Sequence, residues 1–95
     1  MTDDIRPPVD PVRASIGANV RAEMARRGIP QIKIAGIIGV SQRQISERLL
    51  GRVGFEVKEL LQISKELDVP LDRLASLDDL EALAASADST VVGAA

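Results

Sequence analysis

Ninety-five residues make one small domain, and 45% of them are hydrophobic, enough for a single modest core. The chain has one aromatic residue, Phe55, and neither Cys nor His, which excludes disulfides and thiolate or imidazole metal sites and removes the commonest general base. The net charge of −2 is unevenly spread: residues 13–58 hold nine basic against three acidic residues, and residues 59–95 hold two against eight. A basic segment within an acidic whole suits a local face for a polyanion. The first residues lack the basic start and apolar run of a leader, and no apolar stretch has the length of a membrane span. The expectation is a cytoplasmic protein without membrane contact.

Residues 1–10, with Pro7 and Pro8, read as a flexible or extended arm. Asp10-Pro11 is a helix start, because the carboxylate caps free N–H groups and proline fits the first turn, where no N–H is needed. Ile16, Val20 and Met24 follow at four-residue spacing, with Arg13, Arg21 and Arg27 off the stripe. Gly28 offers a left-handed stop, so the first helix is predicted over about 11–27. A second helix over 31–38 turns Ile34, Ala35 and Ile38 inward and breaks at Gly39. Ser41 followed by Gln44 is a capping box, which predicts a third helix from Gln42 to about Leu50, anchored by Ile45 and Leu49 and ended by Gly51.

Beyond a loop at 52–55, a fourth helix over 56–67 presents Val57, Leu60, Leu61, Ser64 and Leu67 as its stripe. Pro70 suits the start of a fifth, which carries Leu71, Leu74 and Ala75. Leu77, Leu80, Leu83 and Ala84 mark one more short helix, begun by a Ser76/Asp79 cap, and the small, unpatterned residues from about Ser86 read as a disordered tail. The expected fold class is all-α, a compact bundle of about five short helices plus a short C-terminal helix. The arm spans 1–10, the main domain 11–76, and the last helix and tail 77–95.

The informative stretch is 31–50, two short helices around a tight turn. Ala35 is the small residue such a crossing needs, Gly39 tolerates positive φ, and Ile34, Ile38, Val40 and Ile45 hold the pair together. The run PQIKIAGIIGVSQRQISERLLGR resembles the helix-turn-helix of the phage-repressor and Cro type, the xenobiotic-response-element family. The similarity extends over about 14–75, through Ile16-Gly17, Val20-Arg21, Gln31, Ala35, Gly39-Val40-Ser41, Ile45-Ser46, Gly51 and LLQISKELDVPLDRL. It implies a lambda-repressor-like five-helix bundle that binds double-stranded DNA, usually as a homodimer on a pseudo-palindromic operator. Three positions depart from the pattern: Pro30 replaces a Ser or Thr cap, Arg48 a large apolar residue, and Phe55 a common proline.

On the third helix Gln42, Arg43, Gln44, Ser46 and Glu47 form the expected base-reading set, since glutamine pairs bidentately with adenine and arginine with guanine. The resemblance puts Gln42 and Arg43 at the family's base-reading positions. Glu47 suits cytosine, or holds Arg43 one turn away. Gln31 matches a family residue that binds phosphate and braces the first recognition glutamine. Ser41, Lys33, Arg48 and Arg52 complete the phosphate set, and Arg6 in the arm is placed to reach a groove. Gln44 is equally explained by capping, and Arg48 by solvation of an exposed face.

The leading function is therefore a sequence-specific transcriptional regulator, repressor- or Cro-like, with no cofactor and no metal. The alternative is a protein-interaction module, such as an antitoxin or a regulator that docks a protein partner through the acidic C-terminal third. Leu77, Leu80 and Leu83 fit either a dimer seam or the core. An enzyme is disfavoured, because no carboxylate or lysine pair has catalytic spacing and no Gly-rich phosphate loop is present.

Overall fold

The computed structural model describes residues 10–94, with side chains described from Asp10 to Ala85. The N-terminal arm, with Arg6, lies outside the described residues. Five α-helices and no strand are formed among the described residues: α1 (Pro11–Arg27), α2 (Gln31–Ile38), α3 (Gln42–Leu49), α4 (Val57–Leu67) and α5 (Leu77–Ala94), with a 3₁₀ turn at Leu71–Arg73 between the last two. No described helix is long and apolar enough to cross a membrane.

Local chemistry sets the boundaries. Asp10 accepts a hydrogen bond from the Val12 amide at 2.8 Å, and Pro11 follows at the first helical position. At the other end Gly28 adopts φ 63°, and the Ile29 amide reaches back to the Met24 carbonyl at 2.9 Å. This is the reversal that satisfies the last carbonyls of a helix. The stripe Ile16, Val20, Met24 is buried, as expected, and joins Ile34, Ala35, Ile45, Leu49, Leu60, Ile63 and Leu74 in one aliphatic core. Phe55 closes that core from the loop after α3.

α3 meets α1 at Gly17. A methyl group there would collide with the Leu49 carbonyl and lie 2.9 Å from the Arg48 carbonyl oxygen, so only hydrogen allows the two backbones this approach.

The structure departs from expectation in two places. On α4 the inward residues are Glu59, Leu60, Ile63 and Leu67, whereas Leu61 is 46% exposed. The inward stripe runs 60, 63, 67, and an i, i+3, i+7 ladder admits only one of two adjacent leucines. The expected fifth helix is only the 3₁₀ turn, although Leu74 and Ala75 are fully buried. The Ser76 hydroxyl accepts from the Asp79 amide, and the Asp79 carboxylate accepts from the Ser76 amide. This reciprocal cap starts α5 so soon after Pro70 that no full helix fits between. The last helix, α5, begins at Leu77 as expected, and the tail expected from Ser86 falls outside the residues whose side chains are described.

Leu80 and Leu83 pack against the core, and Leu77 faces outward. The α1 side of the molecule is closed by a polar cluster. Glu23, 2% exposed, is bonded by Arg26 and Arg27 of its own helix and approached to 3.8 Å by Arg73 from the 3₁₀ turn. Arg27 also donates to the Leu67 carbonyl, and Asn19 to the Leu74 carbonyl, which fasten α1 to the end of α4 and the segment after it.

Candidate nucleic-acid interface

The turn between α2 and α3 is fixed by backbone and cap. Gly39 ends α2 at φ 74°, and the amides of Gly39 and Val40 both donate to the Ala35 carbonyl. The chain then enters α3 through the complete capping box, with the Ser41 hydroxyl accepting from the Gln44 amide at 3.1 Å and Gln44 Oε1 accepting from the Ser41 amide at 2.8 Å. Ile45 and Leu49, one turn apart, are buried against the core. With the inner face so committed, the remaining positions of α3 turn outward.

Gln42 and Arg43 are exposed at the N-terminal end of α3, and neither makes a side-chain hydrogen bond or ion pair among the described residues. Among the described residues both heads are therefore free. Gln44 and Ser41 are also exposed, but the glutamine carbonyl and the serine oxygen serve the capping box, leaving only the Gln44 amide and the Ser41 hydroxyl proton to donate outward. Lys33 on α2 is exposed as well.

The other residues of the set have partners, and some are not the expected ones. Gln31 braces Ser46, whose hydroxyl donates to Gln31 Oε1 at 2.8 Å, and not Gln42. The bond ties the first residue of α2 to the middle of α3, and the Gln31 side-chain amide stays available as donor. Glu47 holds Arg52 at 3.2 Å, and not Arg43. The Glu47 carbonyl also accepts from the amides of Arg52 and Val53, so the start of the following loop folds back onto α3.

Arg48 turns inward. Its guanidinium makes a two-pronged bond to Glu59, Nε to Oε1 at 3.0 Å and Nη2 to Oε2 at 3.2 Å, with the side chains 13% and 8% exposed. A guanidinium held this way is turned from the outer face, so the expectation that Arg48 meets phosphate or solvates a surface gives way to an internal role. Arg43 is then the cation on α3 without an acidic partner among the described residues. Sequence reasoning overlooked Glu59 and Glu23. The available signal was that an arginine replaces a large apolar residue at position 48, since a charge there demands a buried counter-charge.

Similarity to known proteins agrees with this geometry. The sequence model described as Helix-turn-helix matches residues 20–74, more than half of the chain. No curated protein matches it. Among solved structures, the chain is similar to the restriction-modification controller protein C.AhdI from Aeromonas hydrophila, with 18% identity and a TM-score of 0.59 over 65% of this chain and 94% of that one. It is also similar to the clp gene regulator ClgR from Corynebacterium glutamicum. One ClgR structure gives 25% identity and a TM-score of 0.60, covering 85% of this chain and 95% of that one. A second gives 23% identity and a TM-score of 0.63, covering 90% of each.

Proposed function

This chain belongs to the Cro/C1-type helix-turn-helix family, and we propose that it regulates transcription by laying α3 in the major groove of a specific operator. It is a DNA-binding regulator and not an enzyme. The observation that carries the finer reading is the free, exposed pair Gln42 and Arg43 at the start of a helix whose opposite face is locked into the core. Forked side chains in that position match the donor and acceptor patterns of adenine and guanine in the major groove. Gln44, through its remaining amide, and Ser46 and Glu47, half-buried beside it, line the same groove wall. Gln31, Ser41, Lys33 and Arg52 flank them as phosphate contacts, which set register without reading sequence.

Two of the similar structures are of a gene regulator and one is of a restriction-modification controller, which supports a role in transcription. The mode we propose is repressor- or Cro-like, in which the protein blocks or recruits polymerase by occupying its site. The protein acts where the DNA is, in the cytoplasm. A homodimer on an inverted repeat fits the family, and the exposed Leu61 of α4 and Leu77 of α5 supply apolar surface outside the DNA face for it. A protein partner of another kind, bound by the acidic C-terminal third, would instead appear as one stoichiometric companion on purification without DNA.

The test is selection of bound duplexes from a randomised library at near-physiological salt. An inverted repeat with half-site centres about 34 Å apart is expected for two symmetry-related α3 helices on one side of the duplex. No enriched sequence would overturn the reading. Arg43→Ala should cost about 1–3 kcal/mol of binding and relax preference at one base pair of each half-site. A loss equal on all sequences would make Arg43 a phosphate contact.

A further inference from the structure

We propose that Arg48 and Glu59 form a positioning pair that sets the orientation of α3, and so determines which bases Gln42 and Arg43 meet. The inference rests on the DNA-reading role of α3 and assigns the origin of its selectivity to two residues outside the reading face.

The pair is built as a rigid strut. Glu59 is the third residue of α4, and its Oε1 accepts from the Glu56 amide at 3.0 Å as well as from Arg48 Nε. The carboxylate is therefore fixed by the backbone of α4, whose next residue, Leu60, is fully buried. Arg48 meets it with two parallel bonds, a planar fork that defines both distance and angle. The backbone of Arg48 is held too, because its carbonyl accepts from the Gly51 amide at 3.1 Å and lies against Gly17 of α1. The C-terminal end of α3 is thus clamped between α1 and α4.

Leverage turns this clamp into a determinant of reading. Eight residues of helix span about 12 Å, so a rotation of about 5° at Leu49 moves the start of α3 by about 1 Å. Hydrogen bonds to base edges tolerate only a few tenths of an ångström. A point charge on a flexible stem, or an apolar side chain, fills the space without imposing the angle.

The test repeats the library selection with wild-type protein, Arg48→Lys, Glu59→Gln, and the double apolar variant Arg48→Met/Glu59→Leu, each confirmed folded by circular dichroism at the assay temperature. The double variant guards against unfolding of the single ones, because replacing both members of a buried pair by apolar residues is tolerated far better than removing one. The expected result is an enriched motif for wild type and, for the folded variants, about a tenfold loss of discrimination or a changed preferred base at the positions read by Gln42 and Arg43. The salt dependence of binding should stay the same. An unchanged motif, with affinity reduced only by the unfolded fraction, would overturn the proposal and leave the pair purely stabilising. A shallower salt dependence with an unchanged motif in the double variant would overturn it by making Arg48 a phosphate contact. Absence of a motif even for wild type would overturn the DNA-reading role and this inference together, an outcome distinct from the other two.

Discussion

Two carboxylates are buried among the described residues, and they are neutralised in opposite ways. Glu23 sits among three arginines, of which Arg26 and Arg73 are more than half exposed. Glu59 has one cation, Arg48, itself nearly covered. The first arrangement is redundant and open to water: if one arginine leaves, two remain, and the departing group is solvated at once. The second has a single cation and little exposure, so removing Arg48 leaves the Glu59 charge with only the Glu56 amide, and removing Glu59 leaves the guanidinium without a counter-charge among the described residues. Burial of the carboxylate is nearly equal in the two sites. The difference lies in the number and exposure of the partners, which decides how much a mutation costs.

The largest expected effect tests the dry site. Arg48→Met should destabilise the fold by about 3–5 kcal/mol, the range for breaking a buried pair from one side, read as a lower midpoint in urea. A cost below 1 kcal/mol would mean that water reaches Glu59 and that the two sites do not differ. Next comes Glu23→Gln, expected to cost about 1–2 kcal/mol, because the arginines it releases turn outward into solvent while the amide keeps a hydrogen bond to one of them. A loss as large as that of Arg48→Met would erase the contrast. The smallest effect belongs to Arg26→Ala, below about 1 kcal/mol in thermal denaturation, as for other exposed ion pairs. If Arg26→Ala and Arg73→Ala each cost little but their combination costs far more than the sum, redundancy around Glu23 is the reason.

The parts legible in the sequence are those governed by neighbours in the chain. Ser41 with Gln44 and Ser76 with Asp79 announced their caps three residues apart, and Gly28 and Gly39 their left-handed stops. The outward direction of Gln42 and Arg43 followed from the burial of Ile45 and Leu49 one helical turn apart. What escaped depends on residues far apart in sequence. Glu59 lies 11 positions from Arg48, and Arg73 lies 50 from Glu23, so periodicity within one helix carries no trace of either pair. The stripe on α4 was misread for a related reason: Leu60 and Leu61 are equal in hydrophobicity, and only packing against α2, α5 and the 3₁₀ turn selects one. Within the site, Ser46 meets Gln31 where α2 and α3 pack together, and Arg52 meets Glu47 because the loop folds back onto α3.

The contact at Gly17 has a consequence for how such a protein changes over evolutionary time. Because α3 rests on α1 through backbone atoms, the height of α3 is set by main-chain carbonyls that every residue type shares. Substitutions at Gln42 or Arg43 leave that seat untouched, so under the proposed reading new operators are reachable by exchanging outward residues one at a time. The seat itself admits no such drift, since a single added carbon at position 17 would separate the two helices. A freely variable face is thus mounted on a position with one allowed residue.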